Sequence, residues 1–249
     1  MTLNNLHALG ISFSGASRDE LLSNAVALDP VYSTEIYTTA NMQHFRTLHQ
    51  NAEFKKAYQA SFATTIDGMP LVWLIRLAGV KVERYTGVDF TLDVMSRAAR
   101  GTRVRIVGGT ATANKAAEET LRQKYPHLEV LDGFTGLLPE VAVVQSDFAF
   151  DFSQLKADIV LLCLGSPKQE YFANKFPPGV VKKILCVGAT VDFLAGEKKR
   201  APEFIQRSGF EWIWRLAQEP KRLAGRYFHD GITFIRNLPI ALTYRWRTK

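Results

Sequence analysis

Three short polar turns carry the residue types from which group-transfer chemistry can be built. Asp67 closes the apolar stretch 62–66 and is followed by Gly68-Met69-Pro70. A carboxylate at such a boundary is partly desolvated yet reachable. Where burial lifts its pKa toward working pH, it can take a proton from an attacking hydroxyl. A turn-forming Asp-Gly pair is the competing explanation on local grounds. Thr39 and Asn41 follow the strand-like stretch 33–38 and are candidates to orient a substrate, although Asn41 is equally suited to cap the helix beginning at Met42. Gly165-Ser166-Pro167-Lys168-Gln169-Glu170 follows the apolar run 157–164. Gly165 permits a turn, Pro167 suits the first helical position, and amides around Ser166 can face an anion. Gln169 then lies in the first helical turn, able to reach a hydroxyl or a phosphate. Lys168 and Glu170 are expected to face solvent or their helix neighbours.

Weaker signals accompany these. Gly108-Gly109 after the strand-like 103–107 is a partial phosphate-loop pattern lacking the full dinucleotide fingerprint. Arg84 can contact a phosphate or simply face solvent, and Asp192 has a capping or turn role as its simpler explanation. No Asp-x-Asp triplet occurs, and no spacing of metal-ligating residues stands out. Stabilisation of an anionic leaving group is thereby left to backbone amides at helix ends and to cationic side chains.

The elements that must position these turns alternate through the first 195 residues. Strand-like segments are expected at 33–38, 62–66, 103–107, 129–131, 157–164 and 183–187. Helices are expected over 42–59, from Met69, and from a Thr110 or Thr112 cap to Tyr125. The runs 157–164 and 183–187 are almost continuously apolar, as parallel strands covered on both faces should be. The alternation predicts an α/β fold, a Rossmann-like core with a mainly parallel sheet flanked by helices, in which ligands bind at the carboxyl ends of strands. Residues 1–195 form the expected catalytic core. Residues 196–249 read as a helical appendage rich in basic and aromatic side chains, with Pro220 dividing two helical pieces.

Charge separates the two parts. The chain has 249 residues and a formal net charge of +7, and residues 196–249 hold 12 Lys/Arg against 5 Asp/Glu. The first 195 residues hold 19 of each sign, so all the excess positive charge lies in the appendage. Its natural partners are an anionic membrane surface, a diphosphate or nucleic acid. Were 209–229 one continuous helix, Arg215, Arg222 and Arg226 would share a face. Cys163 and Cys186 sit inside apolar runs and offer no disulfide framework, which suits a reducing, cytoplasmic compartment. No secretory leader or membrane-spanning run is expected, so membrane association would be peripheral.

Seven segments sharpen this picture: DGMP at 67–70, RYTGVD at 84–89, GG at 108–109, GSPKQE at 165–170, GATVDFLAG at 188–196, RAP at 200–202 and FEWIWRLAQEPKRLAGRY at 210–227. Their order and near-complete coverage of the chain resemble the WecG/TagA/CpsF family of bacterial glycosyltransferases. The resemblance implies an inverting, metal-independent enzyme that needs no cofactor. Its donor would be a nucleotide-diphosphate sugar, usually UDP-linked, and its acceptor a polyprenyl-diphosphate-linked saccharide of cell-surface polysaccharide biosynthesis. It favours Asp67 as catalytic base over the turn explanation. It assigns substrate binding to Thr39, Asn41, Arg84, Gly108, Gly109, Gly165, Ser166, Gln169, Arg215, Arg222 and Arg226. It also implies attachment to the cytoplasmic face of the plasma membrane, and it leaves a homo-oligomer open. Two other readings compete: a nicotinamide-dependent oxidoreductase, against which the missing Gly-x-Gly-x-x-Gly counts, and a nucleic-acid-binding protein, for which no recognised module is present.

Overall fold

The computed structural model describes residues 5–28, 33–136 and 150–247. The chain opens with an antiparallel hairpin of β1 (Asn5–Ala8) and β2 (Ile11–Ser14), then α1 (Arg18–Val26), neither of which the sequence pattern signalled.

The core is a six-stranded parallel sheet of β3 (Glu35–Ala40), β4 (Ala63–Ile66), β5 (Arg103–Gly108), β6 (Glu129–Val130), β7 (Ala157–Cys163) and β8 (Val181–Cys186). Their spatial order is β4-β3-β8-β7-β5-β6. The apolar run in β7 has a direct cause. Ile159 and Leu161 feed one hydrophobic core while Val160 and Leu162 feed another on the opposite face. The α/β class expected from the alternation is therefore the class observed.

The helices that follow the strands are α2 (Met42–Gln50), α3 (Ala52–Gln59), α4 (Met69–Leu77), α5 (Gly87–Arg97), α6 (Ala111–Lys124), α7 (Lys168–Ala173) and α8 (Thr190–Leu194). The single helix expected over 42–59 is two. Asn51 leaves helical geometry between them, and its side chain accepts from the Phe54 amide to cap the second. An asparagine caps a helix more favourably than it sits inside one.

Beyond the sheet lie α9 (Glu203–Ser208), α10 (Glu211–Gln218) and the long α11 (Pro220–Arg247). Pro220 does divide two helices, starting the second where its missing N–H costs nothing. α11 presents two apolar stripes. Phe234, Leu238 and Ala241 pack into a third core with the hairpin, α2 and α4. Phe228, Ile235 and Leu242, spaced seven apart, remain exposed. The appendage is thus seated on the core along one face. Gly209, at φ 84°, ends α9 against Met69 and Trp73, whose atoms stand 3.1–3.2 Å from where a Cβ would be.

Candidate active site

The strand order explains why distant motifs meet. β4, β3, β8 and β7 are consecutive neighbours, so the turns after them, carrying Asp67, Asn41, Gly188 and Gly165, line up along one edge of the sheet. The tail crosses above. Two cavities result. One, of about 180 Å³, is polar and is bordered by Thr39, Asn41, His44, Asp67, Gly165, Ser166, Gln169, Gly188, Lys198, Lys199, Arg215, Arg222 and Arg226. The other, of about 300 Å³, is largely apolar and is bordered by Met42, Met69, Pro70, Trp73, Trp212, Tyr227 and Phe234 beside Asp67, Arg84, Glu211 and Asp230. Asn41, Asp67, Arg215 and Arg226 belong to both walls.

Asp67 stands at that junction with its side chain 21% exposed. Its carboxylate accepts from the Gly87 amide at 3.3 Å, and its carbonyl accepts from Arg84 Nε at 2.7 Å. Arg84, expected at the surface or on a phosphate, is instead drawn inside. Its Nη2 lies 2.5 Å from Glu211 Oε2 and 3.9 Å from Asp67 Oδ1. Glu211 also receives Arg215 Nη2 at 3.1 Å. Burial of Glu211 opposes its ionisation, but Arg215, Arg84 and Arg200 outweigh it and hold the carboxyl below its ordinary value. Burial likewise works against the Arg215 charge, and Asp67 and Glu211 overcome it, holding the guanidinium above its ordinary value.

Beneath the polar cavity most polar side chains engage one another, with His44 Nε2 and Glu170 Oε2 left without a hydrogen-bond partner among the described residues. The Gln169 carboxamide accepts from the Gly188 amide at 3.0 Å and donates to Glu170 Oε1 at 2.9 Å. It therefore ties the turn after β8 to the turn after β7. Its side chain is engaged within the protein, while the residue forms part of the cavity wall. Glu170, expected at the surface, is 0% exposed. His44 Nε2 lies 3.5 Å from its Oε1. His44 Nδ1 accepts from the Asn41 amide, so in the neutral ring the proton sits on Nε2, facing Glu170. Asn41 does cap α2, its side chain accepting from Gln43 and His44, while also bordering both cavities. Tyr58 donates to the Thr39 carbonyl at 2.5 Å. Pro167 takes the cap position before α7 rather than the first helical one.

Gly108 and Gly109 stand apart from both cavities. A Cβ on Gly108 would lie 2.6 Å from the Cys163 carbonyl oxygen, and one on Gly109 would press on Val191. Close packing of β5 against β7 and α8 accounts for the pair. Asp192 lies within α8, whose cap is Ala189, and it neither caps nor turns the chain but pairs with Lys198 at 2.5 Å. Arg200 binds Asp89 bidentately at 2.6 and 3.3 Å, joining the RAP and RYTGVD segments. Burial of Asp89 raises its pKa, and Arg200 with the Thr86 hydroxyl more than reverses this, leaving it below the ordinary value.

The three tail arginines converge although a break at Glu219–Pro220 separates Arg215 from the other two. Arg215 is partly buried, Arg226 donates to Gln43 Oε1 at 3.3 Å, and Arg222 pairs with Glu219 while 58% exposed. Trp212 Nε1, Arg215 Nε and Arg226 Nε are buried without a hydrogen-bond partner among the described residues. His44, Glu170, Lys198, Lys199, Glu211, Trp212 and Asp230 went unassigned in the sequence. Glu170 carried a signal as a member of segment 165–170, and Glu211 and Trp212 as members of segment 210–227. Among the described residues no group of three or more His, Cys, Asp or Glu is placed to hold a metal ion. The thiols are inert, with burial pushing Cys163 up to about 12.

A family model, the glycosyl transferase WecG/TagA/CpsF family, matches residues 6–249, and the chain belongs to that family. It is a glycosyltransferase of the kind that serves cell-surface polysaccharide biosynthesis. That membership favours glycosyl transfer over the oxidoreductase and nucleic-acid readings.

Proposed function

We propose that the chain transfers a sugar, with inversion, from a UDP-sugar to a polyprenyl-diphosphate-linked saccharide, and that Asp67 is the base. The observation that carries this is the position of Asp67 on the shared wall of a polar and an apolar cavity. A donor diphosphate suits the polar side, where Lys198, Lys199, Arg215, Arg222 and Arg226 gather. An acceptor bearing an isoprenoid chain suits the apolar side. The acceptor hydroxyl oxygen forms the new bond to the anomeric carbon as its proton passes to Asp67. The bond from that carbon to the diphosphate breaks, and its electron pair leaves with UDP, stabilised by the cations. Gln169 acts here by fixing the two turns, and Thr39, Gly165 and Ser166 border the sugar–phosphate space.

Asp67→Asn keeps the shape and removes the base. Turnover with a panel of UDP-sugars and a polyprenyl-diphosphate saccharide should fall by about 10²–10⁴-fold, the range of general-base contributions. UDP affinity and melting temperature should be retained. Wild-type turnover in this variant would sink the assignment.

No described helix is long and apolar enough to cross a membrane. Peripheral docking through the outer stripe of α11 is supported by Phe228 and Ile235, 68% and 65% exposed, in a strongly basic segment. Ile235→Glu should weaken flotation with anionic vesicles; equal flotation would remove this face from the reading.

A further inference from the structure

The tail reaches Asp67 through one carboxylate. Glu211 opens α10, is 4% exposed at its side chain, and binds the two guanidiniums that flank Asp67. Arg84 is the contested one. Its Nε donates to the Asp67 carbonyl at 2.7 Å, and because the guanidinium is a rigid plane, Nη2 approaches the carboxylate by a pivot of the whole plane about Nε. In that arrangement Nη2 is 2.5 Å from Glu211 and 3.9 Å from the Asp67 carboxylate. A shift of about 1 Å would bring Nη2 within charge-assisted hydrogen-bond range of Asp67. A carboxylate so paired holds a proton less readily and is a weaker base. Two acids therefore compete for one cation, and the tail's acid holds it.

We propose that Glu211 is a positioning residue that withholds Arg84 from Asp67, so that the base is available only while the tail is docked. This rests on the reading of Asp67 as base. It gives the appendage a part in the chemical step beyond cation supply and attachment. A glutamate that merely anchored the tail would affect substrate affinity and stability on removal, and would leave the Arg84–Asp67 distance unchanged.

Glu211→Gln tests the difference, because it keeps the side chain's size and removes its charge. Its crystal structure should show Arg84 Nη2 within hydrogen-bond distance of Asp67. With the substrate pair that wild type turns over, kcat should fall at least about tenfold while the donor KM moves less than about threefold. Arg84→Gln added to Glu211→Gln should recover at least about threefold of the lost kcat, because the intruding cation is gone. If Glu211→Gln fails to fold, Glu211→Asp replaces it, its shorter reach weakening the hold on Arg84 in the same direction. The proposal is overturned if Arg84 does not move, if kcat is unchanged, or if the double variant is no faster than the single one. Asp67→Asn assayed in parallel separates the two readings. Turnover in that variant defeats the base assignment itself, whereas its inactivity beside a wild-type kcat in Glu211→Gln defeats only the role of Glu211.

Discussion

The strand-end turns and the tail face each other across Asp67, and they use their polar groups differently. In the turns most side chains are committed to the protein, Gln169 to Glu170 and Gly188, Asn41 to Gln43 and His44, Thr86 to Asp89, while His44 Nε2 and Glu170 Oε2 have no hydrogen-bond partner among the described residues. In the tail, Trp212, Arg215 and Arg226 each keep a buried N–H without a partner among the described residues. A committed group fixes the geometry of its neighbours. A buried donor without a partner carries a desolvation cost that an anionic ligand can relieve. The turns shape the cavities, and the tail holds more of the buried donors without a partner among the described residues, Arg200 Nε included.

The contrast can be broken at several strengths. The largest effect belongs to Asp67→Asn, because chemistry, unlike binding, depends on the one group that both regions share. Next comes Arg215→Ala. Hydrogen bonds to charged groups contribute about 1.5–3 kcal/mol, so UDP binding measured by calorimetry should weaken about ten- to hundredfold. Arg222→Ala, at an exposed position, should weaken it less than about threefold. Equal losses at the two positions would show that burial does not sort the tail cations. Gln169→Ala should act mainly on the fold. Leaving Glu170 and the Gly188 amide without their partner should cost about 1–3 kcal/mol of stability, read from denaturant midpoints. Lost UDP binding at unchanged stability would instead make Gln169 a direct ligand and erase the contrast at that residue.

The Glu211→Gln experiment probes the seam between the regions. Arg84 and Glu211 are 127 positions apart in the chain, yet their contact sets how close a cation comes to Asp67. Neither residue has a local pattern that would announce the other. Arg84 read as a phosphate contact or a surface arginine, because nothing within reach along the sequence is acidic and buried. Glu170 read as a surface residue for a related reason. On a six-residue helix, periodicity is too short to distinguish a solvent face from one turned toward His44 and Tyr58.

Much of the frame was legible without coordinates. Apolar runs of strand length separated by glycine-bearing turns require a parallel sheet covered on both faces, and ligand-bearing turns then fall at strand ends. The step from neutral core to basic tail was equally visible, because charge is a property of composition. What the chain order left undetermined was lateral: which strands are neighbours, and hence which turns meet. The order β4-β3-β8-β7 brings residues 41, 67, 165 and 188 to one edge, and the packing of α11 on α2 and α4 carries residues 211–226 over it. The same order places Gly108 against the Cys163 carbonyl, where lack of a side chain serves packing. Sequence spacing governs contacts within a helix or strand. Contacts between elements depend on how whole surfaces bury one another, and that is decided only when the chain has folded.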